Sequence, residues 1–160
     1  MEIREIRTDE ATRVSEVMRE AFAAVAERLN MTEAEYPRYA GFERVEGVEN
    51  ALARGARVFG LFHEDVMVGT VRCWMHGESV GEIGRLAVLP AYRGRGYGEM
   101  LVARVEDALR ERGVTCAVLK LVQHFTRLEA FYAGLGYKVY GDEEYDFLPF
   151  NGRKMRKELV

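Results

Sequence analysis

A basic excess is missing from this chain of 160 residues: 23 lysines and arginines face 26 aspartates and glutamates, a formal net charge of −3. Nucleic-acid backbones are held by surplus cations, so a nucleic-acid partner is not expected. Cysteine is scarce, and Cys73 and Cys116 alone cannot staple a secreted disulfide scaffold. No apolar run approaches the ~18 residues a membrane helix needs. The charge-dense stretch Met1 to Arg13 does not read as a signal peptide. Three prolines and no Pro/Gly/Ser-rich tract leave no linker, and neither an internal repeat nor a low-complexity segment is present. These absences leave a cytosolic, reduced, single domain over residues 1–160. What is there suits one: apolar residues are 48% and charged residues 31%, an ordinary globular mixture. A chain of this length buries roughly 70% of its unfolded surface and needs no metal or disulfide staple.

Glycine is the residue in supply, and it clusters late. Before the cluster, residues 2–6 read as a short strand. Thr8 has the form of a helix N-cap, with Asp9 and Glu10 in the first turn. Val14, Val17, Met18, Ala21, Phe22 and Val25 then recur at helical spacing. A short helix is expected near 44–54, ended by Gly55. Strands follow at 57–62, 66–76 and 80–89, separated by turns at 63–65 and 77–78; the last stops at Pro90. In the second strand Val71, Cys73 and Met75 share one side, and Thr70, Arg72 and His76 the other. An amphipathic helix follows the glycines. Its Leu101, Val105, Ala108 and Leu109 point inward, and Glu99, Arg104, Glu106, Asp107, Arg110 and Arg112 are assigned to water. Gly113 caps it. A strand at 114–123, a helix at 126–133 and two strands near 137–141 and 153–159 complete the chain. The order is α+β, with a central mixed, mostly antiparallel sheet of about six to seven strands flanked by helices. Residues 80–123 supply its one parallel crossover.

The cluster itself is Arg93-Gly94-Arg95-Gly96-Tyr97-Gly98, directly before a helix. A helix N-terminus offers unpaired amides and partial positive charge, and glycines let a phosphate approach the backbone. Two arginines add charge at the same place. A pyrophosphate ligand fits. The Gly-Lys-Ser/Thr ending of a P-loop is absent, and the third glycine of a dinucleotide fingerprint is replaced by Glu99.

The spacing that does match is Arg-x-x-Gly-x-Gly, from Arg93 through Gly96 to Gly98, after the strand ending Leu86-Ala87-Val88-Leu89-Pro90. It resembles the acyl-CoA loop of the GNAT family of N-acetyltransferases. The later stretch Phe131-Tyr132-Ala133-Gly134-Leu135-Gly136-Tyr137 is similar to the same family's Phe-Tyr-x-x-x-Gly-Phe/Tyr signature, and the element order agrees over 57–159. The resemblance implies a single GNAT-like domain that uses acetyl-CoA as acyl donor, without a metal. Amides of Arg93, Gly94, Arg95, Gly96, Tyr97 and Gly98 would hold the pyrophosphate. Backbone groups of Leu86, Ala87 and Val88 would pair with the pantetheine arm, one N–H polarising the thioester carbonyl. Many members carry an Asn after the next strand; here Gln123 stands in that region.

Acetyl transfer to an amine needs a base for the amine and an acid for the departing thiolate. By alignment with the histone-acetyltransferase branch, Glu82 is the expected base. It would share a face with Gly84, Leu86 and Val88 if strand alternation holds. Tyr132 occupies the family's acid position, though Leu128, Phe131, Tyr132 and Leu135 also read as an ordinary helical stripe. Cys73 and His76 lack a second pair for a metal and fall on opposite strand faces. Cys116 reads as core, and His63 and His124 as turn residues. The acceptor would be a small-molecule or peptide amine. Residues 27–50 hold six glutamates against three arginines, and Asp142, Glu143, Glu144 and Asp146 follow later; these acids would suit a cationic amine, or are simply solvated. Tyr36, Tyr39, Phe42, Phe147 and Phe150 would line its pocket or pack as core. A CoA-binding domain without turnover and an enzyme using another acyl group are the alternatives. The strand 153–159 would leave a sheet edge for a homodimer.

Overall fold

The computed structural model describes residues 1–123 and 125–160. The chain runs β1 (Glu2–Glu5), a 3-10 turn (Thr8–Glu10), α1 (Ala11–Arg28), a second 3-10 turn (Ala40–Phe42), α2 (Val45–Ala53), β2 (Arg57–His63), β3 (Val66–His76), β4 (Val80–Val88), a third turn (Pro90–Tyr92), α3 (Tyr97–Glu111), β5 (Cys116–Val122), α4 (Thr126–Gly134), β6 (Lys138–Glu143) and β7 (Gly152–Glu158). The strands form one sheet in the order β1-β2-β3-β4-β5-β7-β6. The pairings are antiparallel except β4 with β5, which is parallel because α3 carries the chain across.

Local chemistry accounts for most boundaries. Glu64 and Asp65 both take positive φ between β2 and β3, as a two-residue hairpin requires. Thr8 is not the cap of α1. It opens the 3-10 turn instead, and the exposed amide of Arg7 donates to Glu10 Oε1 at 2.7 Å. On α3, Leu101, Val102, Val105, Ala108 and Leu109 are all at most 2% exposed. Burying such side chains is worth about 1.5–3 kcal/mol for each of the larger ones. α1 covers one sheet face, where Met18 Sδ accepts from Arg72 at 3.7 Å; α3 covers the other, where Gly81 abuts Leu109.

Two expectations are corrected here. Glu106 is buried, accepting from Tyr137 Oη at 2.7 Å and from Lys157 Nζ at 3.0 Å. It lies one turn beyond Val102 and between Val105 and Leu109, so the buried stripe of α3 runs over it. β7 is also not an edge strand. It enters between β5 and β6, and the edges are β1 and β6.

Candidate active site

The β4–β5 ladder is short. It pairs Val80 with Cys116, Gly81 with Ala117 and Glu82 with Val118, then stops. Beyond that rung β4 stays with β3 and β5 stays with β7. The backbones of 83–88 and 119–122 therefore part into an open-mouthed cleft in mid-sheet. A bulge drives the parting. Between Thr70 and Arg72 of β3 one residue faces two of β4, Arg85 and Leu86, and Arg85 takes φ +55°. The alternation that would have put Glu82, Gly84, Leu86 and Val88 on one face is broken there.

Glu82 closes the bottom of the cleft. It is 8% exposed and lies within 2.6 Å of His76 Nε2. The His76 side chain is 52% exposed, so the pair links a buried carboxylate to solvent. His76, passed over as half of a metal pair, thus has a use that only the β3–β4 register reveals. Among the described residues no group of three His, Cys, Asp or Glu could hold a metal ion. Cys73 faces the core, where burial pushes its thiol up to about 11. Cys116 is half-buried, and the His63 ring lies tilted against Tyr92 with ring centres 5.5 Å apart. His124 lies outside the described residues.

At the mouth sits the glycine loop. Gly94 and Gly96 take φ of +76° and +82°, conformations that side chains resist, and Gly96 caps α3. The Arg93 amide donates to Pro90 O. From Gly94 to Glu99 no amide has an acceptor among the described residues. Arg93 does not present its charge as expected. Its guanidinium braces the loop, donating to Val88 O at 3.0 Å and Ala21 O at 2.7 Å. Arg95 lies over the Tyr92 ring at 5.4 Å. Tyr97 and Leu86 are half-buried against the core, Ala87 is fully buried, and Gly98 approaches the Phe131 ring so closely that a Cβ would sit 3.3 Å from it.

Tyr132 on α4 is 7% exposed, edge-on to Phe131 and Tyr137. Its hydroxyl has no hydrogen-bond partner among the described residues, and burial pushes its phenol well above the usual tyrosine range. Gln123 turns toward β6: its carboxamide donates to Asp142 Oδ2 at 3.2 Å and its amide to Asn151 O at 3.0 Å.

The α1 side of the cleft carries charged groups that no local motif announces. Arg72 is 8% exposed and meets Glu43 at 2.6 Å. Tyr39 is buried among Phe22, Phe42 and Phe150 in edge-on contacts. Arg85 is half-buried and acts electrostatically on Glu43, Arg72, Tyr39 and Arg38. An arginine in an otherwise uncharged run, Ile83-Gly84-Arg85-Leu86-Ala87-Val88, was the available sign.

A sheet opened by a bulge beside a glycine-rich helix N-terminus defines an acyl-CoA-binding fold. The chain matches the profile of the acetyltransferase (GNAT) family over residues 5–137; it belongs to that family. A Bacillus subtilis (strain 168) protein provisionally named an acetyltransferase is 32% identical over 82 residues, 51% of this chain and 53% of that protein. The chain spans about half the length of the curated relatives it matches. Among the solved structures that share the whole fold, two illustrate it. The PaiA N-acetyltransferase of Thermoplasma acidophilum, in complex with coenzyme A, has a TM-score of 0.81 at 19% identity, covering 98% of each chain. The ribosomal-protein-alanine N-acetyltransferase of Brucella melitensis has 0.75 at 18% identity, covering 99% of each. At such identities the likeness is one of fold.

Proposed function

We propose that this chain is an acetyl-CoA-dependent N-acetyltransferase that moves the acetyl group directly to a small-molecule or peptide amine. The observation that carries this reading is the parting of β4 from β5 next to a run of unpaired loop amides. An extended arm can hydrogen-bond to Leu86, Ala87 and Val88 as an added strand, and a pyrophosphate can sit on the amides of Gly94 to Gly98. The residues present therefore fit acetyl-CoA, which supplies an activated acetyl thioester. Arg93 supports that loop by bracing it and Arg95 supplies charge at its rim. Gln123, the remaining candidate contact, would reach coenzyme A only by leaving Asp142.

The roles of the side chains follow from position. A C–N bond forms and a C–S bond breaks; the amine loses one proton and the sulfur gains one. Glu82, at the bottom of the cleft, takes the amine proton, directly or through a water. His76 passes it toward solvent. Tyr132, kept neutral by burial, gives its proton to sulfur; the same apolar surroundings raise the basicity of a thiolate, so donor and acceptor stay matched. The transferred charge needs no metal in this scheme. Two free cysteines and a net charge of −3 favour a cytoplasmic setting without nucleic acid. No helix is long and apolar enough to cross a membrane among the described residues. A homodimer would use the β6 edge, where Val139 and Tyr140 are exposed.

Thermal unfolding with acetyl-CoA, NAD and ATP in parallel tests the reading. At ~100 times its Kd a ligand adds roughly 2.7 kcal/mol. A rise with acetyl-CoA, followed by thiol release on adding amines, is the expected result. No rise with acetyl-CoA, or a rise with a nucleotide alone, removes the donor site and the roles of Glu82 and Tyr132 with it.

A further inference from the structure

The charge along the acceptor side is less negative than the acidic segments suggest, because four of their acids are already held by cations. Glu33 is held by Arg19 at 2.8 Å and Arg44 at 2.7 Å, and Glu43 by Arg72 at 2.6 Å. Asp142 is held by Arg153 at 3.0 Å and Glu143 by Lys120 at 2.8 Å. Arg85 is left over. Among the described residues its guanidinium has no hydrogen bond or ion pair. Its neighbours are two more guanidiniums, Arg72 and Arg38, and one carboxylate already bonded to Arg72. Arg38 is itself occupied, lying 3.9 Å over the Phe147 ring.

A half-buried cation without a carboxylate is costly, and here it sits on a strained backbone as well. The φ of +55° at Arg85 is disfavoured by about 1–2 kcal/mol for a residue with a Cβ. Glycine would serve the bulge better if the bulge were all that mattered. Desolvation also pulls the Arg85 pKa down, as expected for a cation awaiting a partner. The position is telling: Arg85 lies beside Leu86, at the head of the segment assigned to the acyl arm, and three residues from Glu82.

We propose that the acceptor is an amine that also carries a carboxylate, and that Arg85 binds that carboxylate; this rests on the acetyl-transfer reading of the cleft. The planar fork of arginine matches a carboxylate bidentately. Arg85 and Glu82 lie three residues apart on β4, roughly 10 Å of strand, which the long arginine side chain and a water on Glu82 shorten to the span of an α-amino acid. The rings of Tyr39, Phe42 and Phe150 offer an apolar side chain a place beside them.

The test pairs L-phenylalanine and L-methionine with their carboxamides, and adds spermidine as a cationic amine, reading CoA thiol release. The amides have the less basic amines, so chemistry alone favours them; a preference for the acids is binding. The acids are expected to win by about tenfold or more in kcat/KM, the value of one charged hydrogen-bonded contact. Arg85→Gly relieves the strained φ and so folds. It should raise KM for the acids about tenfold while leaving KM for acetyl-CoA and the amides unchanged. Faster turnover of the amides or of spermidine, or an equal effect of Arg85→Gly on acids and amides, overturns the proposal and leaves acetyl transfer standing. Should acetyl-CoA fail to bind, the transfer reading falls separately. Stabilisation by L-phenylalanine or L-methionine, lost in Arg85→Gly, then still supports the carboxylate site, and its absence overturns it.

Discussion

At the end of the cleft assigned to the donor, the groups offered to a ligand are backbone amides, held open by Gly94 and Gly96 within six consecutive residues. At the end assigned to the acceptor they are side chains: Glu82 and Arg85 from β4, Arg72 from β3, Glu43 and Tyr39 from the segment before α2. Main-chain recognition suits a ligand whose shape never varies. Side-chain recognition from several elements can be retuned one substitution at a time. On the proposed reading, one end of this fold would serve a common donor while the other sets the individual acceptor.

The largest effect is expected from Glu82→Gln. It should lower kcat by about 10²–10⁴-fold, the usual worth of a positioned base, with acetyl-CoA affinity unchanged by calorimetry. The deficit should narrow as pH rises toward the amine pKa of ~10, where free amine no longer needs a base. An unaltered rate would place the base elsewhere. Next in size is Glu43→Ala. It leaves the Arg72 guanidinium buried beside Arg85 with no carboxylate, and breaking such a pair costs about 3 kcal/mol. Tm should fall by roughly 6–12 °C, while acetyl-CoA still binds the folded fraction with its parental Kd. Loss of acetyl-CoA affinity would mean the two ends are not separable.

The same division explains what could be read from the chain. The glycine loop was legible because its requirement is local: glycines at positive φ, one residue apart, ahead of an apolar helical stripe. Strand limits at 66–76 and the hairpin turn at Glu64-Asp65 were legible for the same reason. The acceptor side was not, because its partners are far apart in sequence. Glu43 and Arg72 are 29 residues apart, and their pairing cancels one charge of the acidic run. The bulge at Arg85 has no glycine to announce it. Glu106 hid behind its charge, since its partner Tyr137 lies 31 residues on. The place of β7 between β5 and β6 was equally hidden, for either strand of a hairpin can pair with β5 by the same hydrogen bonds.

A smaller effect is expected at the glycine loop. Gly96→Ala meets no atom within 4 Å, so sterics are not the issue; the φ of +82° is. The loop should lose about 1–2 kcal/mol of preference for its bound form, weakening acetyl-CoA by about tenfold in Kd with kcat at saturation unchanged. A fall in kcat alone would argue that the loop positions the acyl group as well as holding the phosphates.

A control lies away from both ends. Arg4 donates to Glu10 at 2.8 and 2.9 Å, and this hydrogen bonding, assisted by the Arg7 amide, lowers the Glu10 pKa to about 2. Because the folded pKa lies below the unfolded one, the stabilisation is complete above the usual carboxylate range. It is lost as pH falls from about 5 to 2. With the Arg4 side chain 32% exposed, solvent screening keeps it small. Urea midpoints should therefore favour the parent over Glu10→Gln at pH 7 and converge near pH 2. Neither acetyl-CoA affinity nor acceptor preference should move at pH 7, since the pair ties the start of α1 to β1 and reaches neither the glycine loop nor Arg85. A change in acceptor preference would show that the entry to α1 sets the acceptor end, and would extend that end beyond the residues that touch it.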